Sequence, residues 1–249
     1  MARSTLRHAA VILTALLSMT AHAQTSGSVT LVSDYRFRGM SLSDGRPAPQ
    51  LSLEYNSTRD WYVGVFASQV AARDDRDRVQ LIAYGGYAHR LTDSASWEAG
   101  LLRSSVPGTV DYRYAEIYLG LSSDNISGRM YFSPNYYGPG TRTLYTELNG
   151  AYPVLPWLQL IGHAGLLANL SNDVADAVGM SSRWDVRAGV GVRLDDWNVQ
   201  LAVVTMQREA SQPAPSVVAA NGYGGGSSAG TAVRVNDPHA VVLSVSHSF

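Results

Sequence analysis

Val241-Val242-Leu243-Ser244-Val245-Ser246-His247-Ser248-Phe249 is the stretch whose reading decides the fold. Successive side chains of a strand point to opposite faces, so Val241, Leu243, Val245, His247 and Phe249 share one face, and Ser244, Ser246 and Ser248 the other. The first face suits hydrocarbon and the second a wet interior. With an aromatic residue at its end, this pattern predicts the closing strand of an outer-membrane β-barrel, read by the barrel-assembly machinery through Phe249. A soluble periplasmic β-protein shows the same period and is the competing expectation.

The other end of the chain points the same way. Arg3 and Arg7 precede an uncharged apolar run from Ala9 to Met19, and Ala21-His22-Ala23 supplies small residues before Gln24. This predicts a secretory signal peptide over residues 1–23 and a mature domain over 24–249. The apolar run is too short for a spanning helix, and no other stretch reaches the roughly twenty apolar residues that one needs. Removing Arg3 and Arg7 from the 19 basic residues leaves 17 against 20 acidic, a formal charge near −3. Such a balance gives no electrostatic footprint for nucleic acid. Cysteine is absent, so an exported fold of this chain is held without disulfides. An apolar content of 45% with 14 Tyr fits a barrel, in which every second residue faces water.

From this end the alternation can be followed through about twelve segments, with ten to fourteen allowed. The first, Val29 to Arg38, sets Leu31, Tyr35 and Phe37 against Asp34, Arg36 and Arg38, and predicts Tyr35 and Phe37 as a lipid-facing girdle. An Arg at the bilayer midplane costs about 2–4 kcal/mol on the lipid face, so the charged side is expected inside. The later segments are Gln50–Asn56, Trp61–Val70, Val79–His89, Trp97–Ser104, Asp111–Ser122, Ile126–Asn135, Arg142–Tyr152, Trp157–Leu167, Arg183–Arg193, Trp197–Met206 and the closing strand. A Pro-bounded turn is expected at Pro153 to Pro156. Connections after the even-numbered segments are short, and several after the odd-numbered ones are long, as in barrels with short periplasmic turns and longer outer loops. With both termini on one side, that parity requires an even strand number. The Gly/Ser/Ala-rich stretch Ala214 to Thr231 would tip the longest loop.

Two stretches carry a family resemblance: Leu31-Val32-Ser33-Asp34-Tyr35-Arg36-Phe37-Arg38-Gly39-Met40-Ser41 with Pro47, Pro49 and Gln50, and Trp61-Tyr62-Val63-Gly64-Val65-Phe66-Ala67-Ser68. Together they resemble the opening of the TorF-type porins of proteobacteria. Further similarity lies in Ala115-Glu116-Ile117-Tyr118, in Tyr131-Phe132-Ser133-Pro134-Asn135-Tyr136-Tyr137 and in His163-Ala164-Gly165. The resemblance implies an outer-membrane barrel with porin activity and leaves the solute undefined. His247 departs from the aromatic residue usual in closing strands.

The expected lumen residues are Asp34, Arg36, Arg38, Glu54, Glu116, Arg129, Glu147, Asp185 and Arg187. Opposed charge rows in a pore order water and favour small polar solutes. The same residues could instead interlock and fill a narrow barrel, leaving the outer loops to bind a ligand or partner. Expected partners are therefore outer-membrane lipid and lipopolysaccharide outside, and small solutes within. A lipid hydrolase would need Ser, His and an orienting carboxylate together. None of the mature histidines, His89, His163, His239 and His247, lies in a G-x-S-x-G or H-E-x-x-H motif, and no cofactor or metal is expected. Tyr136-Tyr137 before Gly138-Pro139-Gly140, and Tyr223, read either as an aromatic contact site or as packing. Gly85-Gly86, and Gly162 or Gly165, read as places of strand bending or close packing. The Gly222 to Gly225 run lacks the Lys-Ser/Thr pair of a phosphate loop.

Overall fold

The structure, a computed structural model, describes residues 25–71, 77–108, 113–137, 140–171, 182–208 and 238–249. The expected leader, the Ala214 to Thr231 stretch, Tyr223 and the Gly222 to Gly225 run lie outside the described residues. The strands are β1 (Thr25–Val32), β2 (Arg36–Phe37), β3 (Met40–Ser41), β4 (Ala48–Asn56), β5 (Trp61–Ala71), β6 (Asp77–Arg90) and β7 (Ala95–Ser105). They continue with β8 (Tyr114–Ser123), β9 (Ile126–Ser133), β10 (Thr143–Leu155), β11 (Leu158–Asn169), β12 (Arg183–Leu194), β13 (Trp197–Arg208) and β14 (His239–Ser248). All but β2 and β3 form one closed barrel of twelve antiparallel strands, in which β1 pairs with both β4 and β14.

Closure follows from alternation. At the seam Val29 stands opposite both Leu51 and His247, so one apolar face continues across the join. Gly27 and Phe249 exchange two backbone hydrogen bonds of 2.9 Å. A Cβ at Gly27 would lie 2.6 Å from the Phe249 ring, so the absence of a side chain lets that ring lie over the seam. Around the barrel Leu101, Ile117, Leu119, Leu121 and Val241 are each more than 60% exposed, a belt that belongs in hydrocarbon.

The strands are joined alternately by short and long connections. At the short-turn end Asp60, Asp124 and Asp195 take positive φ, a conformation that Asp tolerates better than most residues. Trp61, Trp97, Trp157 and Trp197 lie beside these turns, where indoles favour a membrane interface. His247 packs edge-on against Trp197 at 4.8 Å between rings, which gives this departure from an aromatic residue a place in the same girdle.

Two sequence expectations need correction. The first strand ends at Val32 rather than Arg38, because residues 33–47 turn into the barrel. Tyr35 and Phe37 are therefore no lipid-facing girdle: Tyr35 is buried, and Phe37 packs on interior clusters. The Pro-bounded turn is also shorter than expected. Pro153 pairs with Gln159 and Leu155 with Leu158 across a register shift, so strand pairing runs up to the Pro156-Trp157 corner. Of Gly162 and Gly165, it is Gly165 that is closely packed, against the Tyr145 hydroxyl, whereas a Cβ at Gly162 would meet nothing within 4 Å.

Leu119 lies mid-stripe on β8. Leu119→Arg is expected to lower the urea midpoint of the folded band on a semi-native gel in detergent-lipid micelles, by about 2–4 kcal/mol of stability. Leu119→Ala is expected to move it much less.

Candidate functional site

The interior is organised by the connection between β1 and β4. Residues 33–47 leave the wall and fold inward as a small hairpin, β2–β3, in which Arg36 pairs with Ser41 and Phe37 with Met40. Asp34 is its internal fastening. It accepts hydrogen bonds from Arg36 Nε at 2.6 Å, Ser41 Oγ at 2.5 Å and Ser43 Oγ at 3.3 Å, while Ser43 Oγ accepts from the Tyr35 amide. Arg36 also reaches the Gly39 carbonyl at 3.3 Å.

At the tip, Arg38 and Gly39 take positive φ of 51° and 78°. Gly39 is required there for two reasons: the left-handed backbone, and a Cβ that would lie 2.7 Å from Asp185 Cβ and 2.8 Å from Met206 Cβ. The turn aims Arg38 at the opposite wall. Its guanidinium donates to both oxygens of Glu116 on β8, at 2.8 and 2.6 Å. The Tyr145, Phe37, Tyr131 and Tyr136 rings lie 4.2–5.3 Å from the guanidinium carbon. Arg38 is 7% exposed and Glu116 2%. Removing one partner of so buried a pair strands the other charge, at about 3–5 kcal/mol.

Further contacts fix the hairpin base. Tyr35 donates to Gln80 Oε1 at 2.9 Å, and Gln80 in turn donates to Ser104. Burial raises the Tyr35 phenol well above its usual range, Tyr136 adding to the shift and Arg38 opposing it, so the hydroxyl remains a neutral donor. Tyr136 of the β9–β10 connection is wholly buried against Tyr114 and Tyr137. For Tyr136, therefore, packing and not an exposed contact site is the outcome; Gly138 and Pro139 lie outside the described residues. Arg183 is also buried here, 3.5 Å from the Tyr136 hydroxyl.

From the hairpin tip towards the short-turn end the wall carries tyrosines paired to carboxylates. Tyr84 donates to Glu54 at 2.9 Å, Tyr62 to Glu98 at 2.5 Å and Tyr131 to Glu147 at 3.2 Å. Tyr118 adds a 2.6 Å bond to Tyr62, and Tyr145 donates to Asp185 at 3.3 Å. Glycine makes room for them. Tyr84, Tyr62 and Tyr118 stand directly opposite Gly64, Gly86 and Gly100, and a Cβ at any of these would come within 2.3–2.8 Å of the facing tyrosine. Arg129 bonds Glu98 at 2.5 Å, and His163 bridges Asp185 at 2.9 Å and Asn149 at 2.7 Å.

The expected lumen residues thus divide into two groups. Asp34, Arg36, Arg38 and Glu116 belong to the hairpin and its anchor. Glu54, Arg129, Glu147, Asp185 and Arg187 sit on inward positions of the wall. Arg187, exposed and on the inward face with Asp185, differs from the rest in having no ion-pair or hydrogen-bond partner among the described residues. Sequence reasoning missed Glu98, Gly39 and the pairing of tyrosines with carboxylates. A Tyr on one strand recurring opposite a Gly on the next was the available signal, but it requires the register. Among the described residues no cluster of His, Asp and Glu could hold a metal ion.

A family model of bacterial proteins of unknown function, Gcw_chp, matches residues 18–232, and the chain belongs to this family. No curated protein matches it in sequence. Among solved structures the barrel is similar to the KdgM porin, with a TM-score of 0.53 and 10% identity over 90% of this chain and 99% of that one. A KdgM porin in complex with disordered oligogalacturonate gives 0.49 and 9% identity, over 91% of this chain and 99% of that one. At such identity the likeness speaks to the fold alone.

Glu116→Ala is expected to free the hairpin. Because Pro47 protects the bond after Arg46, limited trypsin digestion of the intact barrel followed by amino-terminal sequencing should give new ends at Phe37 or Gly39 in the variant but not in the native protein. Gly39→Val is expected to do the same, through the occupied space beside Asp185 and Met206.

Proposed function

We propose that the chain is an outer-membrane channel for small polar solutes or ions, narrowed from within by the Asp34–Arg38 hairpin. The observation that carries this reading is Arg187, an exposed guanidinium on the inner wall without a hydrogen-bond partner among the described residues, where Glu54, Arg129, Glu147 and Asp185 are each hydrogen-bonded. A filling residue would be expected to find a partner. A free one in a water-lined passage sets its sign, since lumen charges tune selectivity, and the sign here favours anions. In this reading Glu54, Arg129, Glu147, Asp185 and Arg187 line the passage, and Arg38 with Glu116 sets its width. The TorF-type resemblance points the same way, as do the expected leader over residues 1–23 and the closing strand ending in Phe249 as the feature read by the assembly machinery.

A second reading is favoured by one observation. The buried Arg38–Glu116 pair and the wholly buried Tyr136 fill the lumen towards the long connections, which suits a closed barrel acting through its outer loops. Conductance in planar bilayers separates the two. Discrete steps in the native protein, with the chloride-to-potassium permeability ratio falling several-fold in Arg187→Ala, support the channel. Silence both in the native protein and after replacement of residues 33–47 by a short Gly-Ser link supports the closed barrel.

A further inference from the structure

Among the described outward positions of the wall, arginine gathers in one place. On β7 the outward positions run Trp97, Ala99, Leu101 and then Arg103, which is exposed and stands opposite Ala83 on one side and Ala115 on the other. Arg113 follows on the same face. Ser104 pairs with Tyr114, so the next pair in register sets Ser105 opposite Arg113, one step beyond the Arg103–Ala115 pair. On β10 Leu144 faces out, and two residues further on so does Arg142, whose carbonyl still accepts a ladder bond from Leu170 at 2.8 Å. All three arginines are exposed, and none has an ion-pair or hydrogen-bond partner for its guanidinium among the described residues.

Their placement is specific in height. Leu101 and Ile117, more than 60% exposed, with Phe132 and Leu144, form the apolar wall immediately below. The arginines cap that wall at the end with the long connections, away from Phe249. Adjacent strands are about 4.8 Å apart, so Arg103 on β7 and Arg142 just before β10 are separated by about 14 Å at the backbone, and guanidiniums on flexible stems can close on one headgroup between them. Guanidinium is suited to phosphate because it offers paired donors and stays charged.

We propose that Arg103, Arg113 and Arg142 form a docking site for the phosphate groups of an outer-leaflet lipopolysaccharide, with its acyl chains along Leu101, Ile117, Phe132 and Leu144. The inference rests on the outer-membrane placement given above, though not on conduction. Cations at the end of an apolar wall complement a lipid that is anionic at the same height and apolar below. The small Ala83 and Ala115 beside Arg103 leave the stem room to lie along the wall.

The purified barrel in a neutral detergent is titrated with lipid A, with lipid A stripped of its phosphates, and with inorganic phosphate, and read by native mass spectrometry and by thermal unfolding. The expected result is retained lipid A and a raised unfolding temperature, at least ten-fold weaker apparent binding in Arg103→Gln/Arg113→Gln/Arg142→Gln, and no loss in Arg187→Gln. Dephosphorylated lipid A should bind as weakly as the triple variant does. Equal retention by native and triple variant would overturn the site, as would competition by millimolar inorganic phosphate, which would mark a free-anion site. Dimers that dissociate in the triple variant without lipid would instead make this face an interface between copies. Bilayer conductance of the triple variant should equal that of the native protein, so a lost lipid site and a failed channel are read separately.

Discussion

Hydrocarbon offers no hydrogen-bond partners, and everything else in this protein follows from that constraint. Each backbone amide within the bilayer must find its partner in the chain, and a sheet can do this for all of its strands only by closing. The join of β1 to β14 therefore matters more than any other pairing. It brings residues more than 200 positions apart into register and places Phe249 over Gly27, where a larger residue would hold the ends apart. Non-local pairing of this kind is slow to form because the loop entropy is paid before the contacts reward it.

Closure then divides the side chains into two populations with opposite requirements. The outward residues need only be apolar and of varied shape, and their packing partner is lipid. Those facing inward must satisfy one another or meet water, and the protein uses both solutions. Where the hairpin enters, Arg38 and Glu116 are buried together with aromatic faces around the cation. Towards the short turns, carboxylates are held by tyrosine hydroxyls whose rings lie over glycines of the adjacent strand. That arrangement keeps the wall thin on one strand and thick on the next, and leaves Arg187 on the inner wall without a hydrogen-bond partner among the described residues.

The asymmetry of the two ends has a physical origin as well. Short turns ask for residues that tolerate positive φ, and Asp60, Asp124 and Asp195 supply them beside a tryptophan girdle. At the other end the connections are long enough to do something else: one folds inward and meets the lumen, and the wall beside it exposes three arginines at the upper edge of the apolar belt.

Side-chain alternation predicted a barrel and the alternation of short and long connections predicted its even strand number, because a period of two with charges on one side has a single low-cost solution in a bilayer. It also determined the segments: Arg183 to Arg193 reads as the strand it is. It failed at Ser33 to Arg38, where the same alternation continues past the end of the strand. Tyr35 and Phe37 have the spacing of a girdle, yet the backbone leaves the ladder at Val32 and carries them inside. Only the tertiary structure decided that, because the contacts that hold the hairpin inside come from Glu116, Gln80 and Tyr145, 45 to 107 positions from the residues they meet. A one-dimensional period reports which residues share a face; which surface that face meets is settled by partners that the period does not contain.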